Sequence, residues 1–99
     1  MISQIQTDQA IVITFHTDLN FETCRSLEKT IKDLSKAIES AQRVVLNLSE
    51  VEFIDSTGIS LLIKWLYPYK DKNLSAEGVS ENIVTLFEIC KMDQFLKIA

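Results

Sequence analysis

With two glycines and one proline in 99 residues, the chain has too few flexible or rigid breaks for a fibrous repeat or a disordered tract. Long apolar runs are missing as well. None approaches the roughly 20 residues that cross a bilayer, and the opening "MISQIQTDQA" has no basic segment followed by an apolar one. These absences predict a cytoplasmic chain without membrane insertion. Cysteine is scarce: Cys24 and Cys90 lack C-x-x-C spacing, and both fall on apolar faces of predicted helices, so they read as free, buried thiols. The single histidine, His16, excludes a zinc site assembled from this chain and reads as an ordinary polar residue near a strand end. Positive charge is also short, with 10 Lys and Arg against 14 Asp and Glu and a formal net charge of −4. A nucleic-acid groove needs clustered cations, and here they are scattered.

What is present is an ordinary globular composition, 46% hydrophobic and 24% charged, long enough for one core and too short for two. One domain over residues 1–99 is expected. "ISQIQ" alternates apolar and polar residues, "AIVITF" is rich in β-branched ones, and "TDQ" between them makes a turn, so the chain opens on a hairpin. From Phe21 the period changes, and Cys24, Leu27, Ile31, Leu34 and Ile38 mark one helical face. "RVVLNL" is too apolar for a half-exposed strand and reads as a central one.

Beyond Ser56, the spacing of Ile59, Leu62, Ile63 and Leu66 predicts a second helix, which Pro68 ends or kinks. "NLSAEGVS" is weakly strand-like. Ser80 suits an N-cap, Ile83, Leu86, Phe87 and Cys90 form a third helical stripe, and Phe95, Leu96 and Ile98 close the chain as a short helix or tail. The order predicts an α/β fold with helices alternating along a partly parallel sheet.

The notable stretch is "VEFIDSTGISLLIKWL", where Asp55, Ser56, Thr57 and Gly58 interrupt two apolar segments. In an α/β plan this turn lies at the carboxyl end of a strand and the amino end of a helix, the edge that ligands and partners favour. Two readings stay open. Asp, Ser and Thr cap helix starts by accepting orphan N–H bonds, each worth about 1 kcal/mol. Alternatively, Ser56 is a regulatory phosphorylation site, since a helix N-terminus favours the added charge. A serine hydrolase is not expected, because "IDSTG" does not match G-x-S-x-G and the one histidine would have to act from another loop.

Over nearly its whole length the chain resembles the STAS domain family, shared by anti-sigma factor antagonists and the cytoplasmic tails of sulphate transporters. "AIVITFHTDLNFETCRSLEKTI" resembles the family's strand, loop and first helix, "RVVLNLSEVEFIDSTGISLLIKW" its central block, and "ENIVTLFEICKMDQFLKI" its closing helix. The resemblance implies a mixed, mostly parallel sheet of four to five strands with three to four helices. It implies an anti-sigma factor antagonist, phosphorylated at Ser56 by an anti-sigma factor with serine kinase activity, which it binds when unphosphorylated. A serine phosphatase would reverse the step; no cofactor, metal or catalytic residue is implied.

The expected partner surface comprises Asp18, Asn20, Asp55, Ser56, Thr57, Gly58 and Ser60. Thr17-Asp18-Leu19-Asn20 stands where the family often has Gly-Glu-Leu-Asp, and Ser60 replaces a second glycine. A STAS subunit of a lipid or anion transporter complex is the alternative. Trp65, Tyr67 and Tyr69 read as the rim of the core or an aromatic patch, and Glu50 and Glu52 as a solvated loop beside the site.

Overall fold

A computed structural model describes residues 2–98; positions 1 and 99, the ends of the expected domain, lie outside the described residues. The opening hairpin forms as the alternation requires. β1 (Ile2–Gln6) pairs antiparallel with β2 (Ala10–Phe15), and in β2 Ile11, Ile13 and Phe15 are buried while Val12 and Thr14 are partly covered.

α1 (Phe21–Asp33) and α2 (Ser35–Ser40) together carry the predicted stripe, and all five of its residues are buried. The helix is nevertheless interrupted at Leu34, whose N–H is shared between the carbonyls of Thr30 and Ile31. No glycine or proline stands there; the break leaves Ile38 and Ala41 on the core as the chain turns into β3 (Arg43–Asn47).

β3 is the middle strand of a five-stranded sheet in the order β1-β2-β3-β4-β5, and its parallel pairing with β2 and β4 explains the apolar run at Val44, Val45 and Leu46. α3 (Ser56–Leu66) ends where Pro68 demands, passing into a 3₁₀ turn at Tyr67–Tyr69. The weak segment does form a strand, β4 (Asn73–Glu77), because Leu74 and Ala76 fill the inner face beside Val44 and Leu46. Gly78 then takes a left-handed φ of 69° to turn the chain toward α4 (Glu81–Ile89), capped by Ser80 as expected.

The end of the chain differs from the helix or tail expected. A 3₁₀ turn at Met92–Gln94 leads into β5 (Lys97–Ile98), which pairs parallel with Ser75 and Ala76 as a fifth strand. Cys90 also differs: it stands at the C-cap of α4 and is only partly buried, whereas Cys24 is buried, and both are free.

From β2 each parallel crossover steps to the next strand in one direction, so right-handed connections put every helix on one face of the sheet. Burial follows this rule. The helix-facing residues Ile11, Ile13, Val44, Leu46, Leu74 and Ala76 are buried, while on the other face Arg43, Asn73 and Glu77 are exposed, Ser75 is partly covered and Val45 alone of the β3 and β4 residues there is buried. Consequently, one sheet face is open.

Candidate functional site

At the carboxyl edge of the sheet, the loops leaving β2 and β3 are joined by backbone pairing. Leu19 N–H donates to the Phe53 carbonyl at 3.1 Å, and Asp55 N–H donates to the Leu19 carbonyl at 3.0 Å. Leu19 itself is fully buried. Asp18 reinforces the junction through Oδ1, which accepts from the N–H groups of Glu52 at 2.8 Å and Phe53 at 3.2 Å. The two loops therefore form one rigid ledge.

Both helix starts facing this ledge are capped. Asn20 caps α1 by a capping box: its Oδ1 accepts from Thr23 N–H at 3.0 Å, and Thr23 Oγ1 accepts from Asn20 N–H at 2.9 Å. Asp55 caps two helices with one carboxylate. Its Oδ1 accepts from Gly58 N–H at 2.9 Å, and its Oδ2 from Phe21 N–H, the first residue of α1, at 3.1 Å. The negative charge thus lies between two helix N-termini, where their dipoles favour it.

Gly58 is needed for space rather than for an unusual φ. A Cβ there would lie 2.5 Å from the Leu19 carbonyl oxygen and 2.8 Å from Ile54 Cγ2.

The seven residues expected on the partner surface thus divide. Asp18, Asn20 and Asp55 use their side chains to hold the ledge, and Gly58 is buried against it. Ser56 at N1 and Ser60 one turn later are exposed on the same side of α3, with Thr57 half-buried between them. Among the described residues, the Ser56 hydroxyl takes no part in the capping network.

Two residues that sequence reasoning did not assign are exposed on the loops that meet at this edge: Phe21 is 60% and Phe53 57% exposed. In "VEFID", Val51 and Ile54 are buried, leaving Phe53 as the apolar residue without an inward place. That excess was a legible signal. Phe21 carried none, since it only marks where the period changes and lies three residues before the stripe that begins at Cys24. Trp65 is core, while Tyr67 is half exposed with its ring edge against Phe95.

Two further groups bear on chemistry. Cys24, beneath the site, has its thiol pKa raised, first by burial and then by the carboxylates of Asp55 and Glu28. It is a poor nucleophile. Ser3 Oγ and His16 Nε2 lie 2.7 Å apart, and His16 Nδ1 lies 2.8 Å from Glu50 Oε2. This order is that of a hydrolase triad, but it spans an exposed strand and an exposed loop, and its evident effect is to tie β1 to the ledge.

The family model described as "Mlab, STAS domain" matches residues 2–98. An anti-sigma-B factor antagonist of Staphylococcus epidermidis is 30% identical over 99 residues, covering 98% of this chain and 90% of that protein. Among solved structures, an anti-sigma factor antagonist from Mycobacterium paratuberculosis superposes with a TM-score of 0.81 at 19% identity, over 99% of this chain and 83% of that one. The Bacillus cell fate determinant SpoIIAA in its phosphorylated form gives a TM-score of 0.70 at 14% identity, over 100% and 91% of the two chains. The chain belongs to the STAS domain family.

Proposed function

We propose that this protein is an anti-sigma factor antagonist whose Ser56 is the regulatory phosphorylation site. The observation that carries the reading is the state of Ser56 itself: it is an exposed hydroxyl at N1 of α3, beside an Asp55 carboxylate already bonded to two backbone N–H groups. A phosphate there gains the helix dipole without having to displace a cap.

Phe21 and Phe53 are exposed on the two loops joined at this edge, and these apolar rings offer a partner the kind of contact area that dominates protein interfaces. Phosphorylation adds about −1.5 to −2 charges at the same edge of the sheet, next to Asp55. A partner fitted to the neutral form then meets an anion it must desolvate, and a few kcal/mol changes affinity by orders of magnitude. The partner is an anti-sigma factor with serine kinase activity, opposed by a serine phosphatase. On this reading the protein acts in the cytoplasm as a kinase substrate and performs no catalysis. Ser56, Thr57 and Ser60 face the partner, while Asp18, Asn20, Asp55 and Gly58 shape the surface from beneath.

Incubation with ATP and the serine-kinase anti-sigma factor encoded nearest its gene tests this. One phosphate should appear by intact mass, map to Ser56 and vanish in Ser56→Ala, and Ser56→Asp should weaken kinase binding. Absence of modification together with unchanged binding by Ser56→Asp overturns the proposal. The alternative reading is a STAS subunit of a lipid or anion transporter complex. Co-purification with a transport ATPase, unaffected by Ser56→Asp, would support it.

A further inference from the structure

The open face of the sheet carries a cavity of about 580 Å³ over β3, β4 and β5. Four cations line it: Arg43 at the start of β3, Lys70 and Lys72 just before β4, and Lys97 at the start of β5. Among the described residues Glu77 is the one carboxylate in the lining, so their side chains net three positive charges there, in a chain whose formal net charge is −4. Asp71 and Asp93 adjoin lining residues in sequence but do not line the cavity.

Among the described residues, none of the four cations lies within ion-pair distance of a carboxylate; the only such pair is His16 with Glu50. Two of the cations are held in place by neutral groups. Lys72 Nζ donates to the carbonyls of Glu39 at 2.9 Å and Ala41 at 2.6 Å, and Lys70 Nζ sits 4.5 Å from the centroid of the Tyr67 ring. Neither contact cancels the charge. Between them the lining is apolar at Val45 and Phe95.

We infer that this groove is a second docking site, and that its occupant is an acidic segment of a partner protein carrying an apolar residue. The fit is one of charge and shape. Unneutralised cations at the rim attract carboxylates, and Val45 and Phe95 receive an aliphatic side chain. The groove runs the length of β4 from Asn73 to Glu77 and takes in the starts of β3 and β5. Ser56, at the start of α3 beyond the carboxyl end of β3, is not among its lining residues, so occupancy here leaves the serine accessible. The inference does not depend on the reading of Ser56.

The test uses the ¹⁵N-labelled full chain and a short fluorescent peptide of Glu and Asp with one central Leu. Amide shifts are expected at Arg43, Lys70, Asn73, Ser75 and Lys97 and not over residues 56–60. Anisotropy should show binding that weakens as salt is raised toward about 0.15 M and falls at least about tenfold in the R43E/K97E double variant. Both residues are exposed, and the variant's circular dichroism and melting curve should match the parent's.

Shifts elsewhere, or binding unchanged in R43E/K97E, overturn the inference. So does inorganic phosphate alone reproducing the shifts, which would make the groove a small-anion site. Self-association abolished by the double variant would assign the groove to a second copy of this chain and would equally overturn it.

Discussion

Replacing Gly58 by alanine puts the strictest demand on the account of the site. In an exposed helix, alanine is better than glycine by about 1 kcal/mol, so a reading of Gly58 as an ordinary helical residue expects stabilisation. The structure requires the opposite. The new Cβ would stand 2.5 Å from Leu19 O, 2.8 Å from Ile54 Cγ2 and 2.9 Å from Leu19 Cβ. None of these can yield freely, because Leu19 is fully buried and paired in both directions, from its N–H to Phe53 and from its carbonyl to Asp55 N–H.

Relief means moving the start of α3 away from the ledge. Overpacking of this kind costs about 1–3 kcal/mol, and loosening the Asp55 to Leu19 hydrogen bond adds about 1 kcal/mol. Set against the gain in helix propensity, a net loss of about 2 kcal/mol remains, which for a chain of this size lowers Tm by roughly 8–16 °C. Thermal unfolding followed by far-ultraviolet circular dichroism measures it, with exposed Ser60→Ala on the same helical turn as a near-neutral control. A Gly58→Ala melting curve at or above that of the parent would refute the close approach of α3 to Leu19. Because the same movement displaces Ser56, phosphorylation of Gly58→Ala by the kinase should also slow at temperatures where the variant is fully folded.

Asp55→Ala removes the cap of α3 and the bond to Phe21 N–H at once and should destabilise by about 1–3 kcal/mol in urea titrations; Asp55→Asn keeps an oxygen for only one of the two N–H groups and should fall between. Phe87→Ala, in the fully buried centre of the helix layer, should cost about 3–5 kcal/mol by the same titration. Phe21→Ser with Phe53→Ser should leave stability nearly unchanged while weakening binding of the anti-sigma factor in calorimetry by at least about tenfold. Cys24 titrates above its ordinary range in the fold, so its contribution to stability is complete below the unfolded thiol pKa and is lost as pH rises through the folded value. At neutral pH iodoacetamide should label Cys90 first and Cys24 only on unfolding, as read by peptide mass.

Much of this architecture was legible because it rests on local physics. Alternation in "AIVITF", the helical stripe from Cys24 to Ile38, the apolar run at Val44–Leu46 and the stop at Pro68 each record a period or a steric limit that neighbouring residues set among themselves. The capping residues Asp55 and Ser80 were legible for the same reason. The ending was not: a segment as short as Lys97–Ile98 has no period to show, and it becomes a strand only because β4 offers it an unpaired edge. The break at Leu34 likewise has no residue to announce it.

For the candidate site the division falls within a single tetrapeptide. The sequence by itself determined that Asp55-Ser56-Thr57-Gly58 ends an apolar run and starts a helix, since these side chains are suited to orphan N–H groups. Tertiary structure alone decided the rest. Asp55 bridges two helices, Gly58 makes room for Leu19, and Phe21 and Phe53 are left exposed on the joined loops, because residues some 34 positions apart meet only when the parallel crossover brings the ends of β2 and β3 side by side.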